Sequence, residues 1–219
     1  MSALLVTGTD TGVGKTFVAC ALATALRSRG RRVGVLKPVE TGVEQEPQDA
    51  LRLRAAAGDP SPLDDVCPYR LRAPLAPDVA ARLEHVRIDL DRIVALIARR
   101  RATVDTLLVE GAGGLLVPIA GRETWLDLAV RAALPVLIVG ANRLGTINHC
   151  ALTVRVAQTA GLAVRGIVLS EPVPDPDPST ATNAAAIADL TGVRVLGTVP
   201  HLAAPERATA ALDVDGICG

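Results

Sequence analysis

The most informative part of the sequence is Gly8-Thr9-Asp10-Thr11-Gly12-Val13-Gly14-Lys15-Thr16, which follows an apolar run at 3–7 and precedes a helix-like stretch. A strand, a glycine-rich loop and a helix in this order are typical of a polyphosphate site, because backbone N–H groups and the helix dipole face the anion. In such a loop Lys15 reaches the terminal phosphates and the Thr16 hydroxyl can ligate Mg²⁺. Five residues separate Gly8 from Gly14, one more than in the usual G-x-x-x-x-G-K-[ST] motif. A purely structural glycine turn is the alternative, and the flanking strand and helix favour the phosphate loop.

Lysine is confined to two positions in this chain. Lys15 and Lys37 are the only lysines among 23 cationic residues, and all the others are arginine. Lysine is a compact point charge whereas arginine is a planar fork, so an arginine-rich chain should keep lysine where arginine does not fit. We therefore expect a chemical role for both, although coding bias with two chance survivors would give the same pattern.

Composition excludes several classes of protein. The 219 residues carry 23 cations, 23 anions and only one Phe, one Tyr and one Trp, which argues against a nucleic-acid partner. The four cysteines form no C-x-x-C pair, so neither a zinc site nor a disulfide framework is indicated. Residues 3–7 leave no room for a cleavable leader, and no apolar run is long enough to span a membrane. We expect a cytoplasmic protein with no membrane partner, folded as a single domain over 1–219.

Short runs rich in Val, Leu and Ile alternate with helix-like stretches along the chain. The predicted strands are 3–7, 32–37, 106–110, 136–140, 164–169 and 193–199. The predicted helices are 15–29, 48–57, 77–84, 90–101, 125–132, 147–160 and 180–190. This alternation predicts an α/β fold of the P-loop NTPase type, with a doubly wound, mostly parallel sheet and helices on both faces. The proline-rich stretches 60–77 and 172–178 predict irregular loops.

Two acidic residues are candidates for the phosphate site. Glu110 follows the apolar run 106–109, which places it at the carboxyl edge of a strand, where open α/β sheets bind their ligands. Its carboxylate can hold Mg²⁺ or orient a phosphate-bound water, or it can simply cap a turn. Asp49 lies at the start of a predicted helix and by itself indicates only a solvated acid there.

Two further segments offer groups to a substrate. Thr41 lies four residues after Lys37 on a glycine-containing loop, where it can contact a substrate or cap a turn. Gly145-Thr146-Ile147-Asn148-His149 opens a helix whose free N–H groups suit a carboxylate, with a plain helix cap as the alternative.

Taken together, these motifs resemble the dethiobiotin synthetase family. The segments that carry the resemblance are 8–16, Lys37-Pro38-Val39 with Thr41-Gly42, Asp49-Ala50-Leu51, Glu110-Gly111-Ala112-Gly113-Gly114 and Leu144-Gly145-Thr146-Ile147-Asn148-His149. The longer phosphate loop is typical of that family, and the last two segments are more specific than the loop. The resemblance covers nearly the whole chain.

The resemblance implies an ATP-dependent ligase of biotin biosynthesis. Such an enzyme converts 7,8-diaminopelargonate, CO₂ or bicarbonate, and ATP into dethiobiotin, ADP and phosphate, through a carbamate and a carbamic-phosphoric anhydride. It also implies a homodimer in which the substrate carboxylate is held from across the interface.

The resemblance also assigns roles to individual residues. The implied catalytic residues are Lys37, Lys15 and Thr11. The implied substrate contacts are Thr41, Gly145, Thr146, Ile147 and Asn148. The implied nucleotide contacts are Gly12, Val13, Gly14, Lys15, Thr16, Phe17, Asp49, Glu110, Gly111, Ala112, Gly113, Ser170, Pro200, His201 and Leu202. The implied Mg²⁺ ligands are Thr16, Asp49 and Glu110.

The chain departs from this family where the nucleotide base should bind. Ser170-Glu171-Pro172 follows the strand 164–169, where the family typically has an asparagine that reads adenine. Serine lacks the paired donor and acceptor of an amide, so we predict that ATP is used but weakly discriminated from other triphosphates. Backbone groups of Pro200, His201 and Leu202 would then contact the base.

The main alternative is a regulatory ATPase of the partitioning or septum-positioning kind, which shares this architecture. Such proteins usually open the loop with Lys-Gly-Gly, and some carry a basic amphipathic tail, whereas here Thr9-Asp10-Thr11 fills the loop and the segment 211–215 is acidic. Amide-forming ligases of the cobyrinate type are a nearer rival, but they are fused to a glutaminase domain that this length does not accommodate. These features favour the ligase.

Overall fold

The computed structural model describes residues 2–174, 177–201 and 204–218. Its strands are β1 (Ser2–Gly8), β2 (Val33–Leu36), β3 (Val39–Thr41), β4 (Tyr69–Leu71), β5 (Thr106–Gly114), β6 (Pro118–Ala120), β7 (Glu123–Thr124), β8 (Val136–Ala141), β9 (Val164–Ser170) and β10 (Val195–Val199). Its helices are α1 (Lys15–Ser28), α2 (Gln48–Ala57), α3 (Leu63–Val66), α4 (Pro77–Leu83), α5 (Leu90–Arg101), α6 (Trp125–Arg131), α7 (Thr146–Thr159), α8 (Thr180–Thr191) and α9 (Val214–Cys218), with a 3-10 helix at Pro205–Ala211.

Six of these strands form one parallel sheet. Their order is β10-β9-β8-β1-β5-β2, and every neighbouring pair is parallel. The chain moves from β1 outward to β2, returns through β5, and then continues on the other side of β1 with β8. This reversal is the topological switch point at which open α/β sheets bind ligands. The predicted doubly wound α/β fold is confirmed.

Both faces of the sheet are covered by helices. Along β1, Ala3 and Leu5 belong to the buried cluster that also contains side chains of α5, α6 and α7, whereas Leu4 and Val6 belong to the one that contains α1 and α2. Successive side chains of a strand point to opposite faces, so a nearly unbroken apolar run is what a doubly covered strand requires. None of the helices in the described ranges combines the length and apolarity needed to cross a membrane.

The structure corrects several predicted elements. The stretch 60–77, predicted to be irregular, contains α3 and β4, and β4 pairs in parallel with β3. Thr41, predicted on a loop, is the last residue of β3, and β5 continues to Gly114 instead of ending at 110. An antiparallel pair, β6 with β7, was not predicted. Elements of two to four residues are too short for hydrophobic periodicity to identify them. Residues 175 and 176 of the second predicted loop lie outside the described residues.

Candidate functional site

The phosphate loop joins the end of β1 to the start of α1. Gly14 is the N-cap residue of α1 and has the left-handed φ of 85°, and no described side chain caps this helix. The first N–H groups of α1 are therefore available to an anion, and the helix dipole favours one there. Gly14 is required for a second reason, because an added Cβ would lie 2.7 Å from Ser170 Oγ.

Strand register brings Glu110 and Lys37 to this loop. Glu110 on β5 is paired with Val6 on β1, and Val109 is paired with Leu36 on β2. Lys37 follows Leu36, so it reaches the level of Glu110, while the phosphate loop lies on the other side of β5. The sheet order, rather than sequence proximity, thus gathers these groups at one edge.

Glu110 connects three elements through one oxygen. The Nζ of Lys37 donates to Glu110 Oε1 in a buried ion pair, and the hydroxyl of Thr16 donates to the same oxygen at 2.8 Å. Lys37 Nζ also lies 3.4 Å from Asp49 Oδ2, at the first turn of α2. The predicted Mg²⁺ ligands Thr16, Asp49 and Glu110 therefore lie close to Lys37, and Lys15 lines the same cavity.

These side chains line a cavity of about 650 Å³, which is a normal volume for a small-molecule site. The predicted residues on its walls are Thr11, Gly12, Gly14, Lys15, Thr16, Phe17, Lys37, Thr41, Asp49, Glu110, Ala112 and Gly113. Residues 74–77 and Val117 add a largely apolar wall. Val13 and Gly111 are buried and do not line the cavity.

The two lysines have opposite electrostatic environments. Burial and the neighbouring Lys37 cation lower the pKa of Lys15 to about 8, and its Nζ donates to the Asp10 carbonyl at 3.0 Å. Burial also acts against the charge on Lys37, but the carboxylates of Glu110 and Asp49 outweigh it and hold the pKa of Lys37 above its ordinary value. Lys37 is thus a fixed cation, whereas the charge on Lys15 would be stabilised by an anion in this cavity.

The donor set at this edge fits Mg²⁺. Thr16, Asp49 and Glu110 present hydroxyl and carboxylate oxygens, which are the ligands that this hard cation prefers. Among the described residues, Glu110 Oε2 is buried without a hydrogen-bond partner. A buried carboxylate oxygen left unpaired costs free energy that a bound cation would recover. The set contains only two carboxylates, and no cluster of three or more His, Cys, Asp or Glu suited to a metal occurs in the described parts of the chain.

Glu40 is a residue of this site that the sequence analysis missed. It lines the cavity from β3, is buried, and accepts hydrogen bonds from the backbone N–H groups of Asp49 and Ala50. Burial raises the pKa of the Glu40 carboxyl, and those two hydrogen bonds act in the opposite direction. A lone acid between Val39 and Thr41, three residues after Lys37, is the only signal of it in the sequence.

A second cavity of about 210 Å³ adjoins the first, because Gly14 and Phe17 line both. Its remaining walls are Ser170, Glu171, Pro172, Val199, Pro200 and His201. The Ser170 hydroxyl donates to the Val13 carbonyl at 2.6 Å, so its proton is already used within the protein. Leu202, also predicted to contact the nucleotide, lies outside the described residues.

The segment Gly145 to Asn148 is not brought to either cavity within one chain. Gly145 caps α7 with a left-handed φ of 93° and no side-chain cap, and it is exposed together with Asn148. The Thr146 side chain is buried, with its Oγ1 3.7 Å from Cys150 Sγ, and its N–H donates to the Arg143 carbonyl. Ile147 is half-buried. Because the Thr146 N–H is already used, a carboxylate would meet the following N–H groups of α7 and the exposed Asn148 side chain.

A doubly wound parallel sheet with this glycine loop, and with a lysine and a carboxylate at its edge, defines a nucleoside-triphosphate-binding protein of the P-loop class. The AAA_26 family, described as an AAA domain, matches residues 2–209. The "ATP-dependent dethiobiotin synthetase BioD" of Anaeromyxobacter dehalogenans strain 2CP-1 is 50% identical over 224 residues, which cover 100% of this chain and 98% of that protein. The protein of the same name from Bacillus subtilis strain 168 is 38% identical over 206 residues, covering 93% and 89%. The chain belongs to the dethiobiotin synthetase family, as its motifs predicted.

The fold is also similar to that of a cell division protein. The structure titled "MinC:MinD cell division protein complex" of Aquifex aeolicus superposes with a TM-score of 0.61 at 16% identity, covering 99% of this chain and 94% of that one. At this identity the likeness shows the fold alone, because one fold serves many functions. It gives the regulatory-ATPase alternative no support of its own.

Proposed function

We propose that this chain is an ATP-dependent ligase that forms dethiobiotin from 7,8-diaminopelargonate, CO₂ and ATP. Membership of the family supports the reaction, and one observation carries its assignment to these residues. Lys15, Lys37 and Glu110 meet the uncapped N-terminus of α1 at the wall of one cavity. This arrangement suits phosphoryl transfer, which requires positioning and charge neutralisation more than covalent help from the protein.

The first step forms a carbamate. A free amine of the substrate attacks CO₂, an N–C bond forms, and the amine proton is released to solvent. Lys37, which stays charged, pairs with the carbamate oxygens, and the hydroxyls of Thr11 and Thr41 hydrogen-bond the carbamate or the amine. Thr11 and Thr41 line the same cavity as Lys37, which supports these roles.

The second step transfers the γ-phosphoryl group. A carbamate oxygen attacks the γ-phosphorus while the bond to the β-phosphate bridging oxygen breaks, so ADP leaves and a carbamic-phosphoric anhydride forms. Lys15, Lys37 and the N–H groups of α1 stabilise charge on the transferring oxygens. Thr16, Asp49 and Glu110 are the residues proposed to hold Mg²⁺, which when bound would neutralise the β- and γ-phosphates.

The third step closes the ring. The second amine attacks the carbamate carbon, phosphate departs, and one proton is lost. We propose that the substrate carboxylate is held by the α7 N-terminus of a second subunit in a homodimer. Leu144, just before α7, and Leu152, two turns into it, support this interface, since both are largely exposed apolar side chains on or next to this helix.

We propose that the second cavity, lined by Ser170, Pro200 and His201, binds the nucleotide base and discriminates weakly among triphosphates. Because the Ser170 proton is directed to Val13, no amide-like pair of donor and acceptor remains at that position. Competition of CTP and GTP against ATP tests this, and a strong preference for ATP would contradict it. A single domain over 1–219, a cytoplasmic location and the lack of nucleic-acid or membrane partners remain predictions from composition.

Phosphate release tests the proposed function. ATP, Mg²⁺ and bicarbonate are supplied with and without diaminopelargonate, and dethiobiotin is detected by mass. We expect release that requires diaminopelargonate and accompanies the product in equal amounts. Release that is indifferent to diaminopelargonate, with no product, would instead identify a regulatory ATPase.

A further inference from the structure

The first turn of α2 is capped from a distant strand. Pro47, the N-cap residue of α2, provides no side-chain cap. Instead both carboxylate oxygens of Glu40 on β3 are used: Oε1 accepts from Asp49 N at 3.0 Å and Oε2 accepts from Ala50 N at 2.9 Å. Glu40 is only 7% exposed, so the charge is buried to make these contacts.

This cap changes what the α2 N-terminus can bind. Its N–H groups already face a carboxylate, which offsets the positive end of the helix dipole. The α1 N-terminus is open to phosphate, whereas this end of α2 is closed to anions and presents the Asp49 side chain, 3.4 Å from Lys37 Nζ. The α2 end of the cavity is thereby suited to a cation.

The contact between Glu40 and the first turn of α2 links two walls of the cavity, β3 and α2. Glu40 directly precedes Thr41 on β3, and through Asp49 it fixes the start of α2. Any shift of this cap would move the Asp49 carboxylate relative to Glu110 and Thr16. Residues that orient metal ligands typically affect metal affinity by about 10- to 100-fold when they are removed.

We propose that Glu40 is a positioning residue that holds Asp49 in place to bind the Mg²⁺ of the nucleotide complex. This inference rests on the proposed function, which makes Asp49 a Mg²⁺ ligand. Glu40 itself is bonded to backbone N–H groups and is not one of the proposed ligands.

The test separates metal binding from nucleotide binding. The affinity for a non-hydrolysable ATP analogue is measured by calorimetry in EDTA. In a second experiment Mg²⁺ is titrated into the protein–analogue complex after EDTA and unbound analogue have been removed. We compare the wild type with Glu40→Ala and Glu40→Gln. Asp89→Ala is the matched control, because Asp89 is an exposed acid that caps α5 through Arg92 N at 3.1 Å, on a helix that does not line the cavity.

For Glu40→Ala we expect Mg²⁺ affinity to fall by about tenfold or more, with metal-free nucleotide affinity within about twofold of wild type. Glu40→Gln keeps one acceptor oxygen and should lose less, and Asp89→Ala should change neither affinity. If Glu40→Ala does not fold, Glu40→Gln carries the test, and an unchanged Mg²⁺ affinity in it overturns the proposal. Equal losses of both affinities would also overturn it, because they indicate a merely structural cap. If the wild-type nucleotide complex does not bind Mg²⁺ at all, the proposed function fails as well. This outcome differs from failure of the Glu40 proposal alone, in which the wild type binds Mg²⁺ and the variants bind it equally well.

Discussion

Two helix N-termini in this protein have the same local structure and different surroundings. Helices α1 and α7 both begin after a left-handed glycine, Gly14 at φ 85° and Gly145 at φ 93°, and neither glycine has a side chain with which to cap its helix. Around α1 the sheet edge supplies Lys37 and Glu110, so the chain completes a charged cavity there. Around α7 the chain supplies an exposed surface with Leu144 82% accessible. The same kind of helix start is therefore surrounded by charged side chains in one place and by an exposed surface in the other, which we propose a second subunit uses.

The largest effect is expected from Lys37→Arg, which keeps the charge and changes its shape. The guanidinium fork should misplace the γ-phosphoryl group and the carbamate, costing about 100-fold or more in turnover. Steady-state kinetics measure this loss of turnover. Arg122→Lys is the control, because it makes the reverse exchange at an exposed residue that does not line the cavity. Near-wild-type turnover of Lys37→Arg would remove Lys37 from the chemistry.

A matched pair of glycine substitutions compares the two helix ends directly. Both Gly14→Ala and Gly145→Ala should lose about 1–2 kcal/mol of unfolding free energy, because each forces alanine into the left-handed region. Gly14→Ala should lose more and also bind ATP more weakly, since its Cβ would lie 2.7 Å from Ser170 Oγ. Gly145→Ala, whose nearest neighbour would be His149 Cε1 at 3.9 Å, should raise the KM for diaminopelargonate only. Denaturant unfolding measures the stability losses, and calorimetry measures the affinity for ATP. Equal losses of ATP affinity in the two variants would contradict the assignment of ATP binding to the α1 end alone.

The exposed side of α7 can be tested by charge. Leu144→Asp should weaken the proposed homodimer by about tenfold or more, since a buried unpaired charge is costly, while leaving the subunit folded. Leu190→Asp, on the 63% exposed Leu190 of α8, is the control and should not change the sedimentation coefficient. A Leu144→Asp protein that sediments like wild type at every concentration would place the interface elsewhere.

The smallest effect expected concerns lysine reactivity inside the cavity. With its pKa lowered to about 8, Lys15 becomes increasingly neutral as the pH rises through 8, whereas Lys37 stays protonated. A small acylating reagent should therefore label Lys15 faster than Lys37 at pH 8, and bound ATP should slow the labelling. Peptide mass spectrometry resolves the two sites, and faster labelling of Lys37 would reverse the proposed electrostatics.

Each part of the site that the sequence predicted can be recognised from its own segment, without knowledge of contacts to the others. The loop from Gly8 to Thr16 contains its own glycines, lysine and hydroxyl, and Glu110 and Lys37 each end an apolar run, so strand edges could be inferred from hydrophobicity alone. The register then places them side by side, because parallel strands bring their carboxyl ends to one edge.

The parts that sequence did not predict depend on contacts between distant segments. The Glu40 cap requires β3 to lie beside the start of α2, and β3 is too short for periodicity to reveal it. The Ser170 hydroxyl reaches the Val13 carbonyl across 157 positions of sequence. The absence of an amide at Ser170 could be seen in the sequence, but the use of its proton could not.

Hybrid dimers test most directly whether the two helix ends form one active site. Lys37→Ala, defective at the α1 cavity, is mixed with Gly145→Val, defective at the α7 N-terminus, after each is shown to be nearly inactive alone. Random exchange of subunits makes about half of the dimers hybrids, and in each hybrid one of the two shared sites has both of its helix ends intact. We therefore predict recovery of up to about a quarter of wild-type dethiobiotin formation. No recovery, in mixtures where native mass spectrometry shows that hybrids have formed, would contradict a site shared between subunits.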